Sequence, residues 1–314
     1  MNAVFCPLQP RRARPWQRLL ASALVGALVG IVLAAPPAAR AAVDVAALWD
    51  FANPGLSEQR FRDALATAQG DEALILQTQI ARTHGLRRDL PRARELLKSL
   101  EPQLAGAGPE ARARHALEWG RNHISAVTRP AERTPDNLEI ARSAYLRALA
   151  VARQAGLDGL AIDAVHMMAF VDDAPAQQQR WNEQALQMVL ASTQPAGRQW
   201  EASIRNNLAM SLHTQGRHAE ALPHYERALA LREAAQASPR QQYVARWLVA
   251  RGLRLVGRLD EALAQQTRLE GQMHIVGDPD PFVLEELERI HRARGDEARA
   301  AGYAQRLAQA RRKP

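Results

Sequence analysis

The sequence predicts an all-α protein, a solenoid of antiparallel helical hairpins, on three observations. Apolar residues recur at i, i+3, i+4 and i+7 in runs of about 12 to 20 residues from Val43 onward, the spacing of amphipathic helices. No stretch alternates apolar and polar residues with the β-branched or aromatic enrichment of a strand. Several of the helical runs copy one another at a nearly constant interval, which marks a repeat architecture. Composition agrees, since 47% of the 314 residues are hydrophobic but only 5% aromatic, as in Ala/Leu-rich helical packing.

The first element is a leader. Basic residues at Arg11, Arg12, Arg14 and Arg18 precede the charge-free run Leu19 to Ala35, and Pro36-Pro37 ends it just before Ala39-Arg40-Ala41. This is the layout of a secretory signal peptide, with cleavage expected after Ala41. Export then places the mature chain in the periplasm or outside the cell, or on the inner membrane if the leader stays as an anchor. The apolar run is at the short end of what spans a bilayer, so the Ala-x-Ala ending carries the distinction. With the five leader arginines (those four and Arg40) set aside, the formal net charge falls from +8 to +3. Cys6, the one cysteine, leaves with the leader, which excludes disulfides, thiolate nucleophiles and Cys-ligated metals in the mature chain.

Residues 42–70, with Trp49, Phe51 and Phe61, read as N-terminal capping helices, and residues 71–314 as about six helical hairpins. Breaks fall at Asn53-Pro54-Gly55, Gly70-Asp71, Gly106 to Pro109, Thr134-Pro135-Asp136, Gly156 to Gly159, Asp172 to Pro175, Pro195 to Gly197, Ser238-Pro239 and Gly277 to Pro281. The clearest copies are Leu208 to Leu229 and Val249 to Glu270. Each has a small residue in its first helix (Ala209, Ala250), leucine three on, a turn glycine (Gly216, Gly257), then Ala221-Leu222 or Ala262-Leu263. A further copy turns at Gly295, so the turn glycines are 41 and 38 residues apart. An earlier one has Ala81 and Ala93 in the equivalent places. Between Asp158 and Val171 the phase stays open, because Ala161 and Ala164 both suit the small position. The polar stretch 124–139 interrupts another hairpin and reads either as a contact loop or as a tolerated insertion.

These residues resemble the tetratricopeptide repeat family, whose pattern runs W-x2-L-G-x2-Y, A-x3-F, P. Leu208-Ala209-Leu212 matches L-G-x2-Y, Ala221 and Tyr225 match A-x3-F, and Ile80-Ala81, His84, Ala93 and Leu97 do the same earlier. The family's tryptophan and closing proline are absent, and the intervals exceed its usual repeat of about 34 residues. The resemblance runs over residues 71–314, strongest at 202–276 and weakest at 157–193, and extends to exported bacterial proteins built from such repeats. It implies a right-handed superhelix whose concave face is lined by the first helix of each hairpin.

Chemistry is sparse. All but two of the 41 basic residues are arginine, the exceptions being Lys98 and Lys313, which excludes a P-loop enzyme. No H-E-x-x-H, G-x-S-x-G or G-x-G-x-x-G occurs. His213, His218 and His224 lack the spacing of metal ligands, so no metal or cofactor is expected. Asp163 and His166, at i and i+3, form the one candidate dyad, and a hydrolase using them is the least favoured reading. Carrying the repeat frame over puts Arg82, Arg121, Arg251 and Arg289 one place after the small position, flanked by Gln79, Asn206, Asn207, His213, Arg254 and Arg292, with Trp247 as an aromatic plate. Stacked guanidinium groups suit an acidic peptide, because arginine pairs bidentately with carboxylates. Glu118, Asp163, Glu285 and Glu286 are placed to neutralise the same arginines instead. The expectation is a non-catalytic interaction scaffold binding a protein or peptide of acidic character. The alternative is a receptor for a saccharide or peptidoglycan fragment, with Trp247 and the Asn206-Asn207 pair in a compact pocket. Nucleic acid is disfavoured by the mature charge, and no membrane insertion is expected once the leader is removed.

Overall fold

The computed structural model describes residues 43–312; the leader, Cys6 and the cleavage position lie outside them. The described residues contain no strand. Two capping helices come first, α1 (Val45–Leu48) and α2 (Pro54–Leu65). Six hairpins follow: α3 (Gly70–Leu86) with α4 (Leu90–Leu100), α5 (Pro109–Arg121) with α6 (Pro135–Gln154), α7 (Asp158–Met168) with α8 (Pro175–Ala191), and, after the single turn α9 (Pro195–Arg198), α10 (Glu201–Thr214) with α11 (His218–Ala234), α12 (Pro239–Leu255) with α13 (Leu259–Glu270), and α14 (Pro281–Ala293) with α15 (Glu297–Ala310).

Local chemistry sets the helix starts. Asn53, Asp89, Thr134, Ser238, Asp280 and Asp296 each accept a backbone N–H of the first turn, and proline fills the first or second helical position after five of these six, Asp296 excepted. Turn glycines set the reversals: Gly216, Gly257 and Gly295 hold φ of +75°, +84° and +76°, a left-handed conformation that costs other residues about 1–2 kcal/mol. Counting seven from Ala81 as from Ala209 or Ala250, the same place in the first hairpin is held by Arg88, at φ +68°.

Each helix packs chiefly on its neighbours in the chain, and α3 also lies directly against α5. Apolar burial is accordingly divided. One cluster spans α5 to α10 around Tyr145 and Ile162, another spans α10 to α14 around Leu212 and Leu253, and smaller ones close the two ends around Phe61 and Leu284. This distribution, without one central core, is the packing of a helical-repeat solenoid. The small positions do what close crossing requires. At Gly120 an added Cβ would stand 2.5 Å from Cε1 of Tyr145, a ring that is fully buried and donates its hydroxyl to the Ile124 carbonyl at 2.5 Å. No helix among the described residues is long and apolar enough to cross a membrane.

Candidate functional site

A regular set of side-chain contacts joins first helices of the hairpins, α3 to α5, α5 to α7, α7 to α10 and α12 to α14. The residue one place after the small position reaches the residue two places before it on the next first helix. Arg82 of α3 lies 3.6 Å from Glu118 of α5, and Arg121 of α5 binds Asp163 of α7. On α7, Nδ1 of His166 accepts from the Asn207 amide of α10 at 3.1 Å, and Arg251 of α12 lies 3.8 Å from Glu286 of α14. On α10 and α12 the same two places hold the apolar Met210 and Leu248. The pattern settles the phase of α7: the small position is Val165, fully buried, not Ala161 or Ala164. The sequence left Ala161 and Ala164 as the two choices, and the β-branched Val165 was not among them.

The four arginines do not form one free row. Arg121 is 11% exposed and is held by Glu118 on its own helix and Asp163 on the next. Burial works against ionisation of both Arg121 and Asp163, yet the pair outweighs it, raising the arginine's pKa and lowering the aspartate's. Arg82 is pushed the other way, down, by burial and then by Arg121. Its guanidinium sits over the rings of Trp49 and Phe51, at 5.4 and 5.3 Å, so the capping segment covers the start of the face. At the other end Arg254 grips Glu286 with two hydrogen bonds of 2.6 and 3.2 Å, and Arg289 reaches the same carboxylate at 3.5 Å. Glu285 there takes Arg289 and Arg311. Trp247 stacks under Arg251 at 5.4 Å and meets the exposed Phe282 edge-on.

Of the residues singled out in the sequence, Arg82 and Arg121 come together around Glu118, and Trp247, Arg251 and Arg289 around Glu286. Asn207 joins the first group through His166, and Asn206 lies half-buried beside it on α10. Among the described residues no hydrogen bond links Asp163 to His166: the carboxylate is Arg121's partner, and the ring belongs to Asn207. Burial lowers the His166 pKa to about 4, against the pull of Asp163, so the ring is neutral near pH 7.

A pocket of about 190 Å³ opens where α3, α5 and α7 meet the polar insertion. Arg82, Glu118, Arg121 and His166 lie at its polar side, and Leu86, Val127 and Phe170 among its apolar walls. The insertion is built in by arginines. Arg88 donates to the Val127 carbonyl at 2.9 Å and binds Glu132, Arg94 donates to the Asn122 carbonyl at 2.6 and 3.0 Å, and Arg133 donates to the Phe170 carbonyl at 2.9 Å. Sequence reasoning overlooked Arg88. The signal available was its place, that of the turn glycine in the other copies.

Residues 200–270 match the family described as tetratricopeptide repeat. No protein of curated function matches the chain. Among solved structures it is similar to a signal-transduction ATPase with numerous domains that bears a tetratricopeptide repeat sensor, from Pyrococcus horikoshii, at 12% identity and a TM-score of 0.62, over 82% of this chain and 39% of that one. It thus spans well under half of that protein. RapI in its apo form gives 11% identity and a TM-score of 0.61 over 84% and 74% of the two chains, and aspartyl phosphate phosphatase F from Bacillus subtilis gives 14% and 0.51 over 82% and 75%. Residues 200–270 are thus tetratricopeptide repeats, and the described chain has the all-α solenoid fold of tetratricopeptide repeat proteins.

Proposed function

We propose that the protein is a non-catalytic interaction scaffold, exported to the cell envelope, that docks a peptide segment along the face formed by its first helices. The observation that carries this reading is the regularity of that face: contacts between equivalent positions join α3 to α5, α5 to α7, α7 to α10 and α12 to α14, and the equivalent positions on α10 and α12 are the apolar Met210 and Leu248. Stacked repeats present an extended surface of this kind to their ligands. The acidic character of the partner is assigned to the C-terminal half of the face. There Arg251, Arg254, Arg289 and Arg311 meet two carboxylates, Glu285 and Glu286, and leave positive charge over. In the N-terminal half Arg82 and Arg121 are balanced by Glu118 and Asp163.

The pocket beside Glu118 suits a side chain of a docked peptide. Sites for small ligands commonly have about 300–1,000 Å³, whereas the pocket here has about 190 Å³, room for a side chain. Export rests on the leader, and N-terminal sequencing of the mature protein is expected to begin at Ala42.

The docking test uses peptides selected from a random display library on the intact protein. Met210→Arg places a bulky charge at an exposed position of the face, and Leu190→Arg does so at an exposed position on α8. The first is expected to weaken the selected peptides by tenfold or more, on the order of 1.4 kcal/mol, and the second to leave them unchanged. The reverse pattern would move docking to the outer helices.

A further inference from the structure

Resting on the peptide-docking reading, we propose that the pocket between α3, α5, α7 and residues 125–128 selects a primary carboxamide, the side chain of a glutamine or asparagine on the docked peptide.

Three properties of the pocket lead there. The first is charge. Three guanidinium groups line it, Arg82, Arg88 and Arg121, each with a carboxylate partner, Glu118, Glu132 and Asp163, and His166 is neutral. A carboxylate entering would face Glu118, and an ammonium group would face the three arginines. Either charged group is also dehydrated against Leu86, Val127 and Phe170, which a neutral group tolerates far better.

The second property is a pair of acceptors without donors. Oε2 of Glu118 and Oδ1 of Asn122 are buried and make no hydrogen bond, although both residues line the pocket and are only 1% and 2% exposed. Buried acceptors left open in this way are uncommon and costly, and they mark where an N–H donor is wanted. The third property is donors on the same walls. Arg82 pairs with Glu118 at the long distance of 3.6 Å while its guanidinium lies over Trp49 and Phe51, and the amide of Asn207 donates to Nδ1 of His166, which puts the ring proton on Nε2.

A neutral ligand group with two N–H donors for the two open acceptors, and a carbonyl for Arg82 or His166, is a primary carboxamide. A hydroxyl has one donor and leaves an acceptor open. An aliphatic side chain satisfies the walls but none of the polar atoms.

The experiment takes the strongest peptide from a display selection on the intact protein and measures its Kd by fluorescence anisotropy, beside versions with the amide residue changed to glutamate or to leucine. One glutamine or asparagine position is expected to recur among the binders, and either change is expected to weaken binding about tenfold or more, since sites built for hydrogen bonding reject ligands that lack the group. Glu118→Gln removes a negative charge and supplies an N–H. With far-UV circular dichroism and Tm confirming the fold, it is expected to reverse the order so that the glutamate peptide binds better than the glutamine peptide. Val127→Arg, at an exposed loop position on the pocket wall, keeps the fold and is expected to abolish the discrimination. Binders without an amide position, or equal affinity for the three peptides, would overturn the carboxamide assignment and leave peptide docking standing. A selection that yields no binder would remove both.

Discussion

At the scale of single residues, His166 shows how the face couples to pH. Its ring is held between Asp163 and Arg121 on one side and Asn207 on the other, with Phe170 and Trp200 against it, and burial lowers its pKa from 6.5 to about 4. The folded protein therefore binds fewer protons at this site than the unfolded chain does. The stabilisation is complete above the unfolded value of 6.5 and is lost progressively as pH falls toward about 4. With a discount for partial exposure, the loss is on the order of 2 kcal/mol. Burial also lowers His84, His115, His123, His213 and His224, so the whole protein is expected to be acid-labile in the same direction. Urea midpoints at pH 7 and pH 4.5 check this. His166→Phe is expected to show a smaller drop between the two than the parent, and an equal drop would place the lability elsewhere.

At the scale of elements, two positions test why the hairpins pack and turn as they do. Gly120 lets Tyr145 lie across α5, and the ring is fixed at its far end by the Ile124 carbonyl, so it has nowhere to retreat. Gly120→Ala is expected to cost about 1–3 kcal/mol by overpacking, read as a lowered Tm. Arg88 presents two opposed effects at one position: a left-handed backbone that suits glycine, and a side chain that holds the insertion through Val127 and Glu132. Arg88→Gly and Arg88→Ala both release the loop, but only glycine relieves the backbone. The glycine variant is expected to be about 1 kcal/mol more stable than the alanine variant, and both to show faster amide exchange at residues 125–132. Equal stabilities would show that the left-handed conformation carries no cost here.

At the scale of the whole described chain, burial in successive clusters has a thermodynamic consequence. In a solenoid each hairpin depends on its neighbours alone, so stability is approximately a sum of repeat and interface contributions. Removal of residues 277–314, which carry α14 and α15, is expected to lower the Tm while leaving the circular dichroism of the remaining helices near the value for their number. It also strips Glu286 from Arg251 and Arg254 and opens the Leu284 cluster. Complete unfolding of the shortened chain would show instead that the clusters form one cooperative unit.

How much was legible beforehand differs between fold and site. The small residues Ala81, Ala209 and Ala250, the turn glycines and the amphipathic spacing determined the hairpins, because helix period and close crossing are local requirements written into each repeat. Those same positions placed Arg82, Arg121, Arg251 and Arg289 on the first helices. Their partners were beyond reach of the sequence alone. Whether Arg121 faces a ligand or Glu118 and Asp163 depends on how far one first helix is shifted against the next, a length set by packing across hairpins of unequal interval. The phase of α7, the clamp by Arg88 and the pocket it walls were decided by the tertiary structure for the same reason: each joins residues some 30 to 45 positions apart, where no local period constrains the register.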